Sequence, residues 1–175
     1  MAILFRFFES APAAVRFGTF STRFGWVIVG ETDAGVCAVA LAGRKQDAQH
    51  TLADIYPETL PVRQDETPAA RQVAAYLAGE RRSFDLAVDM AATPFQKMVW
   101  QELCKIPFGE TTTYSALAQR LGKPRAVRAV ARACATNPIA LIVPCHRVVR
   151  ADGNLAGYRW DVSRKAQLLN LERGD

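Results

Sequence analysis

The chain has little with which to staple itself or to hold a metal. It contains four cysteines and two histidines in 175 residues. Cys37, Cys104, Cys134 and Cys145 are spaced for neither a zinc ribbon nor a small secreted disulfide framework. They read as reduced thiols in a reducing compartment. No apolar run reaches the roughly 18 residues of a membrane span. Arg6 interrupts the apolar start and no cleavage-site pattern follows, so no signal peptide is expected. Internal repeats and low-complexity segments are absent, which leaves one large domain or two small ones. The charge is not strongly one-sided. A net charge of +5 favours polyanions only weakly, so the placement of basic residues matters more than their total.

The first half alternates turns with short apolar segments. Val15 to Phe20, Gly25 to Glu31 and Gly35 to Ala42 read as three strands, with a hairpin signal at Asp33-Ala34-Gly35. A helix over Gln46 to Ile55 puts Ala48, Leu52 and Ile55 on one side and is closed by Pro57. Thr67 caps a second helix with Pro68 in its first position. Ala70, Val73, Ala74 and Leu77 form its apolar side and Gly79 ends it. Phe84 to Val88 reads as a further strand. Cys37 belongs to the core and His50 to solvent. A boundary is expected between Glu80 and Ala92.

Chemistry concentrates in the second half. Thr93-Pro94-Phe95-Gln96 is a capping box, and Phe95, Val99 and Leu103 mark the buried face of the helix it starts. Helices over Tyr114 to Leu121 and Arg125 to Ala135 flank the turn Gly122-Lys123-Pro124, the outline of a helix-turn-helix. On the second of these, Val127, Val130, Ala131 and Cys134 share a core face. Arg125, Arg128 and Arg132 lie opposite, and Ala126, Ala129 and Ala133 lie on the flank between. Such an arginine stripe is either a solvated face or a contact for a phosphate backbone, and the helix-turn-helix outline favours the second.

The apolar run Pro138 to Pro144 ends at Cys145-His146-Arg147. A buried strand and a proline-initiated turn would carry that triplet to the rim of the core. A thiol, an imidazole and a guanidinium there are the ingredients of an activated sulfur nucleophile. Val148 to Arg150 continues as a short strand, and Ala151 to Asn154 is a turn. The loop Ala156-Gly157-Tyr158-Arg159-Trp160 precedes a last helix, Val162 to Leu171, with Ala166 and Leu169 inward. Glu172 falls in its last turn, where a carboxylate is disfavoured by the helix dipole unless a cation pairs with it.

Pro144-Cys145-His146-Arg147, with Asn137-Pro138 before it and Gly157-Tyr158 after it, resembles the O6-alkylguanine-DNA alkyltransferase family. Ile106-Pro107-Phe108-Gly109-Glu110-Thr111 through Tyr114 and the block Gly122 to Val130 are similar to that family's other motifs. Gly157 to Trp160 and Ser163 to Ala166 look closest to bacterial members, including the C-terminal part of Ada. The resemblance is strong over about residues 94 to 172, and general in layout before that.

The resemblance implies an α/β (α+β) fold. Residues 1–90 would form a ribonuclease H-like sheet with flanking helices. Residues 91–175 would form a winged-helix-like, DNA-binding and alkyl-acceptor domain with the helix-turn-helix. It implies repair by direct reversal: single, irreversible transfer of the alkyl group of O6-methylguanine, and of O4-methylthymine, from duplex DNA to Cys145. His146 would act through a bridging water, oriented by Glu172, and Asn137 would be the hinge joining helix-turn-helix to active-site turn. A helix C-cap is the plainer reading of Asn137. Arg128 would fill the gap left by the flipped base and Tyr114 would promote flipping. Arg125, Arg132, Ala126 and Ala129 would lie along the minor groove. Backbone groups of Cys145 and Val148 would read the base, and Tyr158, Arg159 and Lys165 would close the pocket. Trp160, where some relatives have a small residue, would narrow it. No metal or organic cofactor is required: Cys37 and His50 are too few for the structural zinc of some family members. A monomer in the bacterial cytoplasm, working without a membrane, completes the expectation.

Overall fold

The computed structural model describes residues 3–8, 11–155 and 157–174. The chain divides into two compact units, Met1–Ala91 with Pro138–Ile142, and Ala92–Asn137 with Val143–Asp175. Both mix helix and strand, as the resemblance implies.

The first unit is built on a six-stranded sheet. Its strands are β1 (Leu4–Arg6), β2 (Ala14–Thr22), β3 (Gly25–Glu31), β4 (Val36–Ala42), β5 (Leu60–Arg63) and β6 (Ala87–Asp89), in the order β1-β6-β4-β3-β2-β5. β2, β3 and β4 form an antiparallel meander, while β1, β5 and β6 join in parallel. The β3–β4 turn closes with Thr32 N–H donating to Gly35 O at 2.9 Å, at the Asp33-Ala34-Gly35 signal. All seven residues of β4 are buried, Cys37 included, so this strand is the spine of the core. Helix α1 (Lys45–Ile55) buries Ala48 and Leu52, while Ile55 is only half-buried. Helix α2 (Pro68–Leu77) starts where Thr67 Oγ1 accepts from Ala70 N–H at 3.0 Å. Such a cap stabilises a helix by about 1 kcal/mol.

Two expectations need correction here, and two strands went unforeseen. The strand expected at Phe84–Val88 is β6, shorter and shifted to Ala87–Asp89. β1 and β5 carried no recognisable signal: β1 has three residues, and β5 contains Pro61 and is exposed throughout. Proline is tolerated there because β5 is an edge strand. The apolar run from Pro138 is not a strand. It pairs with β4 only through Ile139, by Val39 N–H to Pro138 O at 3.0 Å and Ala140 N–H to Val39 O at 2.9 Å. It then breaks at Leu141, whose φ of 69° is left-handed. That conformation costs about 1–2 kcal/mol. Burial of Leu141 and Ile142, both at 1 % exposure, outweighs it at roughly 2 kcal/mol each.

The second unit begins with α3 (Pro94–Leu103), closed at its start by the capping box: Thr93 and Gln96 each accept from the other's backbone N–H. Its buried face is Val99, Trp100 and Leu103 rather than Phe95, which is half-buried. Trp100 Nε1 donates to Ala133 O at 2.9 Å, tying α3 to α5. Strands β7 (Thr112–Thr113) and β8 (Val148–Val149) pair in parallel. Helix α4 (Tyr114–Arg120), capped by Thr113, and α5 (Val127–Ala135) form the helix-turn-helix. Helix α5 starts two residues later than the pattern suggests, so Arg125 lies in the preceding turn and Ala126 is the N-cap. Ala133, expected on the flank, is buried at 3 % exposure because α3 packs over it. Helix α6 (Val162–Arg173) runs to the left-handed Gly174. It buries Lys165, Leu168, Leu169 and Glu172, while Ala166 is only half-buried. Ala156, part of the expected loop, lies outside the described residues.

Candidate active site

Cys145, His146 and Arg147 occupy one 3-10 turn between Pro144 and β8. They do not stand at a rim. All three are buried, at 3 %, 0 % and 6 % exposure. Within the second unit Cys145 is held by Asn137, whereas His146 and Arg147 meet on the single carboxylate of Glu172.

Cys145 is held by Asn137. The Asn137 Nδ2 group donates to Val143 O at 2.8 Å and to Cys145 Sγ at 3.2 Å. Asn137 is 1 % exposed, the helix C-cap is Thr136, and the Asn137 amide N–H group serves the cysteine turn. His146 Nε2 lies 2.5 Å from Glu172 Oε1. Arg147 grips the same carboxylate, Nε donating to Oε2 at 2.8 Å and Nη2 to Oε1 at 3.2 Å. Its Nη1 donates to Ile106 O at 2.6 Å, and Gly109 N–H adds a fourth donor to Glu172, at 3.0 Å from Oε2. The cation that Glu172 needed is thus Arg147. No local pattern announced that pair, because the partners are 25 residues apart in sequence. The resemblance of the Ile106 to Gly109 block to a family motif was the available signal.

The charges fix the proton inventory. Burial alone would raise the Glu172 carboxyl, but the hydrogen bonds of His146 and Arg147 and the Arg147 charge outweigh it and hold it well below the usual carboxylate range, at about 2 when the imidazole is also charged. An ionised carboxylate can only accept, so His146 carries its proton on Nε2 and leaves a lone pair on Nδ1. Burial also pulls the imidazole below its ordinary value, against the opposing pull of Glu172, which keeps it neutral. Nδ1 is buried and bonds to nothing among the described residues. It is a base in waiting.

The thiol runs against expectation. Burial pushes the Cys145 thiol up, although the Asn137 bond and the positive charges of Lys165 and Arg159 oppose it. It rests as S–H, and activation must come from proton transfer to a base at the moment of attack, not from a standing thiolate.

Lys165, expected to close the pocket, is fully buried. Its Nζ donates to Val148 O at 2.6 Å and lies 6.0 Å from the Tyr114 ring centre. Tyr114, at the start of α4, is half-buried, and burial raises its phenol to about 12, so it is a neutral donor. Arg159 is exposed, with its guanidinium carbon 4.8 Å from the Trp160 ring centre. Trp160 is 5 % exposed, and its buried Nε1 has no partner among the described residues. Tyr158 is half-buried. Arg125, Arg128 and Arg132 are exposed, as is Ala129, while Ala126 is half-buried. Among the described residues no three His, Cys, Asp or Glu side chains gather closely enough to hold a metal ion.

The family model described as "6-O-methylguanine DNA methyltransferase, DNA binding domain" matches residues 94–174, the stretch that carries Cys145, His146, Asn137 and Glu172. Over 155 residues the chain is 39 % identical to the inducible methylated-DNA–protein-cysteine methyltransferase of Bacillus subtilis, covering 87 % of this chain and 82 % of that protein. The chain belongs to the O6-methylguanine DNA methyltransferase family. Another similar protein in this family is the bifunctional transcriptional activator/DNA repair enzyme Ada of Escherichia coli, 46 % identical over 166 residues. That match covers 91 % of this chain but 46 % of Ada, so the chain spans about half of Ada's length. Among solved methyltransferase structures, Mycobacterium tuberculosis OGT in complex with DNA superposes with a TM-score of 0.78 at 35 % identity, over 91 % of this chain and 94 % of that one.

Proposed function

We propose that this chain repairs DNA by taking the methyl group of O6-methylguanine, and of O4-methylthymine, onto Cys145, once and irreversibly. The observation that carries this reading is the buried Cys145 thiol, held by Asn137, beside a neutral imidazole whose Nδ1 lone pair is set by Glu172. The S–H proton passes, through a bridging water, to His146 Nδ1. The sulfur attacks the methyl carbon in line, the C–S bond forms as the C–O bond breaks, and the electron pair stays on guanine O6. Tyr114 supplies a hydrogen bond to the leaving base, guanine takes a proton at N1 from water, and His146 returns the thiol's proton to solvent. The product thioether is a poor leaving group, so each molecule acts once. The DNA-bound family structure supports a duplex partner. No metal or organic cofactor enters these steps. Residues 1–90 take the scaffold role and residues 91–175 the DNA and acceptor role, in a monomer working in the cytoplasm, where thiols stay reduced.

The helix-turn-helix gives the DNA surface. Arg125, Arg128 and Arg132 project from α5 and the turn before it, and Ala126 and Ala129 leave room beside them for the narrow minor groove. Arg128 fills the stack when the base leaves it, at an unstacking cost of a few kcal/mol. Arg128→Ala is therefore expected to slow repair of duplex by at least about tenfold, in line with the loss of a few kcal/mol. It should leave reaction with the free modified base nearly unchanged. Parallel losses on both substrates would contradict the role.

Val148, Tyr158, Arg159 and Lys165 complete the base pocket, with Trp160 as its narrow wall. Trp160→Gly should accept a benzylated guanine at least about tenfold faster than wild type, the scale of a hydrophobic-pocket change worth one to three kcal/mol. Equal inactivation rates would dispose of that wall.

A thiol hydrolase would use the same Cys–His pair. Duplex carrying labelled O6-methylguanine separates the two: label should move to the protein, whereas label recovered as methanol with continuing turnover would point to hydrolysis.

A further inference from the structure

The mechanism above uses Cys145, His146 and Glu172 and leaves a buried guanidinium unexplained. Arg147 and Glu172 form an ion pair with side-chain exposures of 8 % and 0 %. Burying two charges is costly, and an apolar pair of the same size would serve stability at least as well. The pair is nevertheless fully engaged. Two Arg147 nitrogens grip the two carboxylate oxygens, a third donates to Ile106 O, and the guanidinium carbon lies 5.8 Å from the Phe108 ring centre. Gly109 N–H donates to Oε2 from the same loop. A side chain at Gly109 would meet Glu172 O at 3.0 Å and would need a φ of +81°, so the loop fits only glycine there.

We propose that Arg147, caged by the Ile106–Gly109 loop, is a positioning residue for methyl transfer: its two-toothed grip turns Glu172 so that Oε1 faces His146 Nε2. This rests on the function proposed above. Two of the four donors to Glu172 fill Oε2, and Oε1 is left for the imidazole and the weaker 3.2 Å contact. The Nε2–H tautomer, and with it the free Nδ1, follows from that orientation. Arg147 also acts through charge. The groups that act on His146 are Glu172 and Lys165 from α6 and Arg147 in its own turn, with the Cys145 thiol next to it in sequence. Arg147 and Lys165 disfavour the imidazolium and Glu172 favours it. Removing Arg147 tips that balance toward imidazolium, which is no base.

The test is an imidazole nitrogen-15 NMR titration of the full chain, with single-turnover methyl transfer measured on the same samples. The chain has two histidines, and His50 is exposed and serves as the reference. In wild type, His146 should stay neutral as the Nε2–H tautomer through pH 6.5. In Arg147→Met its midpoint should rise by about one pH unit, with an equal rise in the acid limb of the rate profile. Arg147→Lys keeps the charge but cannot grip both oxygens and Ile106 O. It should hold the midpoint and lose rate about tenfold at every pH. If Arg147→Met does not fold, Arg147→Lys decides. Superimposable titrations of wild type and Arg147→Met, or wild-type rates in Arg147→Lys, would overturn the proposal. A wild type that transfers no methyl would sink the functional reading instead, and the titration would still decide the Arg147–His146 link.

Discussion

Cys145→Ser is expected to lower single-turnover methyl transfer by about 10⁴-fold or more, the upper range of what a positioned base contributes to a proton transfer. The Cys145 thiol is already a weak acid, raised by burial. A hydroxyl in its place is weaker still, and neutral His146 cannot draw its proton. The fold should survive. Serine Oγ can accept from Asn137 Nδ2 as Sγ does, and Val143 O keeps its own bond to that amide. Rate and thermal melting measured together check both halves. A serine variant that melts like wild type and still clears methyl groups would mean that the acceptor is elsewhere in the chain.

Glu172→Gln is expected to damage stability and activity together. It removes the carboxylate charge that His146 and Arg147 share and leaves the buried Arg147 guanidinium without that counter-charge. Breaking one side of such a pair costs about 3–5 kcal/mol, far more than the pair's net worth. Glutamine could also present its amide N–H to His146 Nε2, which would then have to accept, and Nδ1 would lose its lone pair. Transfer should fall by about 10²-fold or more in chains that remain folded. Urea unfolding and single-turnover kinetics measure the two effects. Wild-type stability in Glu172→Gln would show that the carboxylate is not carrying the buried charge. The pH dependence has a defined sign. The folded carboxyl sits at about 2 against an ordinary value of 4.5, so its contribution is complete above pH 4.5 and is lost as pH falls toward 2. His146, also lowered, adds a loss that begins below its ordinary value of 6.5.

How much of this was written in the sequence depends on the range of the interaction. Thr67, Thr93 and Gln96 were readable because a cap acts over three residues. The helix-turn-helix and its exposed arginines were readable for a similar reason, since helical spacing is local. Glu172 at the wrong end of a helix dipole correctly announced a missing partner, but the partner was out of reach of any local rule. Arg147 became visible only when the fold brought α6, the cysteine turn and the Ile106–Gly109 loop together. The run from Pro138 misled because apolar composition reports burial and not backbone shape. Leu141 leaves the extended region, and only Ile139 pairs with β4. Edge strands β1 and β5 were too short and too exposed to leave an alternating pattern. The resting state of Cys145 was hidden too, because depth of burial sets the thiol's acidity and depth belongs to the folded chain.

The central claim is that Cys145 is consumed as the methyl acceptor. Excess duplex carrying O6-methylguanine with a carbon-13 methyl group, followed by tryptic digestion and mass spectrometry, tests it directly. Cleavage after Arg132 and Arg147 gives a peptide holding both Cys134 and Cys145, so fragmentation must place the label. The predicted result is one methyl per chain, on Cys145, with no further uptake on longer incubation. Label on Cys134, Cys104 or Cys37, or methyl lost to solvent while the protein keeps turning over, would contradict it.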